Sequence, residues 1–281
     1  MHKILFWLFF AKIKMATCLP EVNKSGFKNG NKLFEITKVG QLSAPINESS
    51  GLAKVYGKAS FWTHNDGGGQ TELYEINSNG QLISTLNIPN ISNIDWEDLA
   101  HDNAGTIFIG DFGNNSNTRK DLTIYKFNQN QPEKTEKINF RYADQSAFPP
   151  QKQDLNFDCE AFFWANDSLY LFTKNRGEKS TNLYALPSTA GNYTISPKAA
   201  ILLKGSITAA DSSPDRKQFA LLSYGKLYIF GIENKKISFE KPLFCIKAPL
   251  KQSEAISYIS DNEILITNEQ KEIFKIEFNK K

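Results

Sequence analysis

The sequence DWEDLA at residues 95–100 has two close counterparts further along the chain, DCEAFF at 158–163 and QSEAIS at 252–257. Each segment places a glutamate before a small or acidic residue and then an apolar residue. Two more segments align with these three, SGLAKV from Ser50 and TAADSS from Thr208. Successive aligned positions lie 47, 63, 48 and 46 residues apart. A recurrence at this period is typical of proteins built from repeated supersecondary units.

Each copy continues with further short apolar segments of the kind that form β-strands. A run such as IFIG or ILIT comes second, and an aliphatic–aromatic segment such as IYKF comes third. A fourth apolar segment completes most copies. Four strands every 46 to 48 residues, with no helical pattern between them, predict an all-β propeller. The longer second interval contains the polar stretches 128–137 and 144–154, which we expect to form a surface insertion.

The fifth copy lacks its fourth strand, because the chain ends soon after IFKI at 273–276. The segment KLFEITKV at 32–39 has no place in the other copies, so we expect it to fill this position. Pairing the two ends of the chain would close the ring and remove an open sheet edge. We therefore predict one five-bladed propeller domain over 31–281. A six-bladed ring is the alternative if one blade is hidden by misjudged strands.

The first 20 residues differ from the rest and predict a leader. A basic start is followed by the apolar run ILFWLFFA at 4–11, which resembles a secretory signal. MATC at 15–18 further resembles a lipoprotein cleavage box, in which Cys18 would carry a lipid. We expect a protein that is secreted or anchored in a bacterial cell envelope, touching membrane only through the leader or that lipid. The alternative is a disordered or membrane-associated leader on an otherwise soluble protein.

The net charge indicates which partners to expect, and the number of cysteines indicates whether disulfides are expected. The net charge of +3 is spread over 281 residues without a basic tract, which argues against a nucleic-acid partner. Only Cys159 and Cys245 follow Cys18, on distant segments. Two such cysteines do not make a disulfide framework, and we expect both to be buried free thiols.

The aligned position predicts a metal site on the propeller axis. The first strand of each blade lines the central channel, so one position per blade points toward the axis. Two carboxylates ~5 Å apart repel by about 3 kcal/mol at an effective dielectric of ~20, so a ring of glutamates needs protonation or a cation. An all-oxygen set favours calcium. The alternative is a wet channel in which the glutamates only accept hydrogen bonds. The five predicted ligands are Ser50, Glu97, Glu160, Thr208 and Glu254.

A second set of polar residues follows the second strand of each copy, where propellers place binding groups. We expect these residues to bind a small molecule or a protein ligand on the top face of the propeller. No nucleophile elbow or Ser–His–Asp arrangement is present, which argues against a serine esterase. The candidate ligand-binding residues are His64, Asp111, Lys174, Arg176, Tyr224 and Asn268.

The order Ser, Glu, Glu, Thr, Glu resembles the secreted calcium-dependent nucleotidases of the apyrase family, which are five-bladed propellers with an axial calcium. SGLAKV, EAFFWANDSLYLFTKN and SEAISYI carry this resemblance. It implies that Asp66 is catalytic and that Lys174 and Arg176 bind phosphate. The residues that recognise the nucleotide base in that family have no clear match. More loosely, DWEDLAHDNAGTIFIGD is similar to bacterial envelope propellers classed as SdiA-regulated, phytase-like or TolB-like.

Two functions follow from these observations. The first is an exported binding module with calcium as a structural ion. The second is a calcium-dependent phosphohydrolase acting on nucleotide di- or triphosphates or a related phosphoester. The positions of Asp66, Asp111, Lys174 and Arg176 discriminate between them. Scattering around the rim favours binding, whereas proximity to the axial ring favours hydrolysis.

Overall fold

The computed structural model describes residues 17–279 except 179, 204 and 250. Most of the predicted leader, including Met15 and Ala16 of the MATC segment, lies outside these residues. The described chain contains helix α1 (Leu19–Lys24) and two short 3-10 helices, Pro132–Lys134 and Lys152–Asp154. Among the helices described, none has the length and apolar character needed to cross a membrane.

Strands make up nearly all the regular structure of the described residues. In chain order they are β1 (Lys28–Asn29), β2 (Phe34–Gln41), β3 (Ser49–Lys54), β4 (Phe61–Asn65), β5 (Glu72–Ile76), β6 (Leu82–Asn87), β7 (Trp96–His101), β8 (Thr106–Asp111), β9 (Thr123–Asn128), β10 (Glu136–Tyr142), β11 (Cys159–Ala165), β12 (Ser168–Thr173), β13 (Ser180–Pro187), β14 (Gly191–Ile195), β15 (Ala199–Leu202), β16 (Ile207–Ser212), β17 (Gln218–Ser223), β18 (Lys226–Gly231), β19 (Pro242–Lys247), β20 (Ser253–Ser260), β21 (Glu263–Asn268) and β22 (Glu272–Phe278).

These strands form five sheets arranged as the blades of a propeller, which confirms the predicted fold. Blade 1 is β3-β4-β5-β6, and blade 3 is β11-β12-β13-β15. Blade 2 is β7-β8-β9-β10 with β14 added outside, and blade 4 is β16-β17-β18-β19 with β1 added outside. The inner strands β3, β7, β11, β16 and β20 contact one another in this order, and β20 contacts β3.

Blade 5 joins the two ends of the chain as predicted. Strand β2 pairs antiparallel with β22, from Phe34 opposite Phe278 to Gln41 opposite Glu272. The N-terminal segment therefore supplies the outer strand that the fifth copy lacks. This pairing closes the ring by backbone hydrogen bonds and leaves no half-built blade.

Apolar side chains fill the spaces between neighbouring blades. Five buried clusters occur, and each combines residues from two adjacent blades. Alternation along the inner strands divides the side chains between two interfaces. Phe162 packs toward blade 2, whereas its neighbours Ala161 and Phe163 pack toward blade 4. Both faces of the inner strands are therefore buried, and this burial includes polar residues such as Ser49, Asp98 and Ser257.

Buried aspartates connect the inner strands across the blades. Asp98 is fully buried and accepts hydrogen bonds from the amides of Leu99, Phe162 and Ala210. One carboxyl thus bridges blades 2, 3 and 4. Asp211 of blade 4 accepts from the amide of Tyr258 in blade 5 at 2.8 Å. These bonds satisfy amides near the axis and hold the blades in register.

An N-terminal arm, residues 18–29, packs on blades 3 and 4 and is a feature that the sequence did not indicate. Its Phe27 is 2% exposed and lies in the core cluster between these two blades. Strand β1 pairs in parallel with β19, and β14 pairs in parallel with β10. Both added strands are too short and polar to stand out as apolar segments.

The expectation that Cys245 is a free thiol is wrong. Cys18 and Cys245 form a disulfide with a Cα–Cα distance of 5.7 Å, because the N-terminal arm returns to β19 across 227 residues of sequence. Cys159 is a buried free thiol, as predicted. A lipid on Cys18 would need the same sulfur atom, so the lipid and this disulfide exclude each other.

The buried ion pair between the N-terminal arm and blade 4 gives a test of this packing. Lys226 Nζ lies 2.9 Å from Glu21 Oε1, with side-chain exposures of 0% and 2%. We expect Lys226→Met to lower the free energy of unfolding by about 3 kcal/mol, because Glu21 is left buried without its cation. Urea denaturation of the oxidised protein measures this.

The matched control is Lys236→Met, which breaks the exposed Lys236–Glu240 pair. It should change the free energy of unfolding by no more than about 0.5 kcal/mol. Equal losses in the two variants would contradict a buried contact between the N-terminal arm and blade 4.

Candidate metal and anion site

The aligned position of the repeat is an irregularity in the strand pairing of every blade. The register between the inner strand and its neighbour shifts there in all five sheets. In blade 2 two residues, Glu97 and Asp98, fall within the shift. A bulge bends the strand and re-aims a side chain, and bulges are common beside functional sites. Apart from Asp98, the residues that the register skips at this level are the five aligned ones, Ser50, Glu97, Glu160, Thr208 and Glu254.

The three glutamates at this level act on one another electrostatically. Glu97 and Glu160 are 7% and 4% exposed, and Glu254 is partly buried. Burial, followed by the charge of Glu160, raises the pKa of Glu97 well above its usual value. Burial also raises the pKa of Glu160 well above normal, and the charge of Glu254 contributes. The charges are therefore close enough to destabilise one another in the ionised form.

Two of the glutamates have partners within the protein. Lys174 Nζ donates to Glu160 Oε2 at 2.8 Å. The Tyr224 hydroxyl donates to Glu254 Oε1 at 2.7 Å, and its ring lies 5.6 Å from Lys174 Nζ. Glu160 and Glu254 are thus each stabilised by a neighbouring donor.

Glu97 is different, because no ion pair or hydrogen bond holds its carboxylate among the described residues. Its carboxylate lies instead with those of Asp66 and Asp95, with one oxygen of each within 4.8 Å of the others. Gly113 makes room for this acidic cluster, since a Cβ there would clash with Glu97 Oε1 and the Asp95 carboxyl. We use the name acidic cluster for Asp66, Asp95 and Glu97.

The hydroxyl residues at the aligned position are buried. Ser50 is 4% exposed, and Thr208 is 2% exposed. Thr208 donates its hydroxyl to the carbonyl of Ser253 at 2.7 Å, so its oxygen keeps lone pairs for another partner. The predicted axial ring and the acidic cluster have one residue in common, Glu97.

Charged residues surround the acidic cluster and orient it. The Asp95 amide donates to Asp111 Oδ1 at 3.0 Å, and Arg119 pairs with the same oxygen at 3.1 Å. Burial, followed by the charge of Asp66, raises the pKa of Asp95 to about 6, while Arg119 opposes this shift. A carboxyl with this pKa is largely ionised at neutral pH but still basic enough to accept a proton.

Three of the four residues that discriminate between the two functions, Asp66, Lys174 and Arg176, lie close to glutamates of the axial ring. Asp66 is in the acidic cluster with Glu97, and Lys174 contacts Glu160. Arg176 pairs with Asp158 at 2.9 Å and lies 3.7 Å from Glu160 Oε1. Asp111 binds the backbone of Asp95. Proximity rather than scattering is the arrangement expected for hydrolysis.

Three predicted ligand-binding residues, His64, Asp111 and Asn268, lie in the interior. His64 is fully buried, its Nδ1 lies 2.8 Å from the carbonyl of Asn65, and its ring meets Trp96 edge-on. Burial lowers the pKa of His64 to about 4, so the imidazole is neutral at pH 7. Asn268 is also buried, and its side chain bonds both the amide and the carboxylate of Glu272. Its hydrogen bonds stabilise the turn between β21 and β22.

Sequence reasoning missed Asp95, Arg119 and Asp158. A signal for two of them is present, because an aspartate stands two residues before the glutamate in both DWE at 95–97 and DCE at 158–160. A glutamate and an aspartate two residues apart share one side of a strand, so both carboxyls approach the channel mouth. Arg119 left no such signal, since it reaches Asp111 from the loop before β9.

Comparisons with known proteins support the fold. No protein-family model matches this chain, and no curated protein matches it. A gluconolactonase from Xanthomonas campestris is similar in structure, with a TM-score of 0.52 and 10% identity, over 88% of this chain and 90% of that one. The WD40 repeats of RRP9 align with a TM-score of 0.46 and 9% identity, over 82% of this chain and 67% of that one. At 10% identity the similarity to the gluconolactonase shows the β-propeller fold alone.

The raised pKa of Glu254 predicts how stability depends on pH in the presence of a chelator. Burial raises this pKa from 4.5 to about 7, and the Tyr224 hydrogen bond and Lys174 oppose the shift. Between these values the folded protein retains a proton that the unfolded chain has lost. The free energy of unfolding therefore falls as pH rises from about 4.5 to about 7, by about 3 kcal/mol.

Urea unfolding between pH 4.5 and 8 measures this decline, and Glu254→Gln should remove the part that belongs to Glu254. The matched control is Glu133→Gln on the exposed 3-10 turn, which should keep the wild-type slope. Parallel profiles for Glu254→Gln and the wild type would show that this carboxyl does not titrate abnormally.

Proposed function

We propose that this protein is a calcium-dependent hydrolase whose substrate carries an anionic oxygen group, with a phosphoester as the first substrate class. One observation carries the proposal. The carboxylate of Glu97 is buried, lacks a partner within the described chain, and shares the channel mouth with Asp66 and Asp95. A bound cation would stabilise this cluster, and the residues around it would determine its chemistry.

Repulsion within the acidic cluster favours a bound cation. Two unit charges 4.8 Å apart repel by about 3 kcal/mol at an effective dielectric of ~20, and the cluster contains three such pairs. A divalent cation would replace repulsion with attraction. The donors are all oxygen atoms, and Glu160, Glu254 and Ser50 lie at the level of Glu97, which suits the irregular, high coordination of calcium. The nearby thiol of Cys159 has its pKa raised well above normal by burial, which disfavours zinc.

The residues at the mouth have separate roles in this proposal. A bound calcium ion would polarise a phosphoryl or carbonyl oxygen of the substrate. Asp66 is exposed, so it can contact a substrate or water that enters from solvent. Asp95 is the more buried carboxyl with the raised pKa, which suits a group that accepts a proton from water. Gly113 leaves space beside the carboxyls of Asp95 and Glu97.

Lys174 and Arg176 would contact the anionic group of the substrate. The Arg176 side chain is 38% exposed, so part of its guanidinium faces solvent while it pairs with Asp158. Lys174 holds Glu160, and the two together place positive charge beside the acidic cluster. Arginine and lysine are the usual protein donors to phosphoryl oxygens.

A binding module without turnover is the second candidate, and one observation favours it. Both cations are already paired, Lys174 with Glu160 at 2.8 Å and Arg176 with Asp158 at 2.9 Å. Cations that stabilise the empty site contribute less to a substrate. In this case calcium would be a structural ion on the axis, and the top face would bind an anionic small molecule or protein.

The disulfide supports export of the protein. Disulfides persist in oxidising compartments and are rare in the cytosol. The bond joins Cys18, near the end of the predicted leader of 20 residues, to Cys245 in blade 4. We therefore propose an exported protein that is secreted or held in the bacterial envelope, with Cys18 in the disulfide rather than lipidated.

A calcium titration of thermal stability tests the metal site. At 100 times the dissociation constant, calcium should stabilise the folded protein by about 2.7 kcal/mol and raise the Tm by about 5–10 °C. Glu97→Gln should abolish this rise and, in a chelator, raise the Tm slightly because one repulsive charge is lost. The matched control is Glu75→Gln, a buried glutamate that pairs with Lys58 in blade 1 and should keep the calcium response.

Hydrolysis separates the two candidate functions. We expect calcium-dependent release of p-nitrophenol from bis(p-nitrophenyl) phosphate or of phosphate from ADP. Asp95→Asn should lower kcat by about 100-fold at saturating calcium, and its calcium-dependent Tm rise should be smaller than that of the wild type because Asp95 belongs to the acidic cluster. A calcium response without turnover would support the binding module. Identical melting curves in calcium and chelator would contradict both the proposed metal site and the proposed calcium-dependent hydrolase activity.

A further inference from the structure

A second cleft lies on blade 2, away from the aligned position of the inner strands. It has a volume of about 480 Å³, within the range of ~300–1,000 Å³ typical of small-molecule sites. Its wall is apolar and comes from Leu122, Phe140 and Tyr142. Phe148, on the loop after β10, lies at its side and is 36% exposed. We use the name blade-2 cleft for this space.

Positive charge is concentrated on the blade-2 cleft. Arg119, Lys120 and Arg141 line it, and none of the residues described as lining it is acidic. Arg119 is neutralised by Asp111 and Asp121. Lys120 and Arg141 are exposed, and neither forms an ion pair in the described part of the chain. Two cations without counterions at an apolar cleft favour an anionic ligand.

The two free cations are held in position by neutral partners. Lys120 Nζ lies 4.8 Å from the centroid of the Phe148 ring. Arg141 Nε donates to Thr194 Oγ1 at 2.9 Å, which anchors one edge of the guanidinium through strand β14. The remaining N–H groups of Arg141 can bind a planar anion in a bidentate manner. Neither partner cancels the charge of its cation.

We propose that the blade-2 cleft binds a small organic anion with a flat apolar body. The carboxylate, sulfonate or phosphate group of the ligand lies between Lys120 and Arg141, and its body packs on Phe148 and the wall formed by Phe140. The added strand β14 contributes Thr194 to this cleft, which gives the extra strand of blade 2 a role in binding. This site does not depend on the acidic cluster or on calcium.

The test uses 8-anilinonaphthalene-1-sulfonate, an aromatic sulfonate, and its uncharged counterpart N-phenyl-1-naphthylamine as fluorescent probes on the full-length protein. The sulfonate should bind at one site. The double variant Lys120→Gln/Arg141→Gln should weaken its Kd by about tenfold or more, because both charged donors are lost. Binding of the uncharged probe should be weak and unchanged in the double variant. Phe148→Ala should weaken both probes.

The matched control is Lys236→Gln/Lys241→Gln, which removes two cations from another surface cleft and should leave the Kd unchanged. Glu97→Gln should also leave it unchanged, which separates this site from the calcium site. Equal loss in the Lys236/Lys241 variant would overturn the proposal by showing a general charge effect. Equal binding of the uncharged probe, or no saturable sulfonate binding, would overturn it as well. All substituted side chains except Glu97 are exposed, and melting curves confirm folding.

Discussion

Closure of the ring by β2 and β22 is the constraint on which the rest of the structure depends. The outer strand of blade 5 comes from the N-terminal side of the chain, and its partner ends at Phe278, so the circle is held by backbone hydrogen bonds between segments more than 230 residues apart. Closure brings β20 against β3 and completes the interface between blades 5 and 1. Without it the five bulges would not face a common channel, and Asp66 of blade 1 would not meet Asp95 and Glu97 of blade 2 in a fixed geometry. The N-terminal arm adds a second connection, because its disulfide and buried ion pair hold residues 18–29 on blade 4.

The glutamates at the channel mouth differ in their partners, so the protein offsets the negative charge in some blades and not in others. Every blade has a register shift at the same level, but the side chain placed there differs in its partners. Glu160 has Lys174, and Glu254 has Tyr224. Glu97 has no ion-pair or hydrogen-bond partner among the described residues and lies with Asp66 and Asp95. A ring of identical carboxylates would favour a symmetric axial ion. In the metal site that we propose, this arrangement would shift the cation from the axis toward blade 2, where the protein does not offset the repulsion. Arg119 then limits that repulsion from outside through Asp111, so the cluster can persist in the folded protein.

Sequence reasoning was most accurate where repeated patterns are long. The five inner strands, the insertion after β9 and the closure by 32–39 could be predicted because apolar periodicity is a local property that each copy repeats. Elements without a pattern were missed. Strand β1 has two residues and β14 has five, and both pair in parallel with strands distant in sequence. The sequence predicts a free thiol at Cys245 because Cys18 falls within the predicted leader, and only the folded chain brings the two cysteines together. His64 follows the same register as Lys174, yet it is buried beside Trp96, since the position in the repeat does not specify which neighbour covers the side chain.

From the sequence we could predict the fold class, a ring of five blades with six as the alternative, and the level at which polar residues recur. These follow from alternation and spacing, which depend on covalent geometry and on the burial of apolar side chains between blades. The tertiary structure alone decided which carboxylates meet, which of them are already paired, and which cysteines are joined. Those outcomes depend on distances between different blades, where electrostatic energy changes steeply with separation and burial. A glutamate in a repeated motif is therefore recognisable from sequence, but its charge state and its partner are properties of the closed ring.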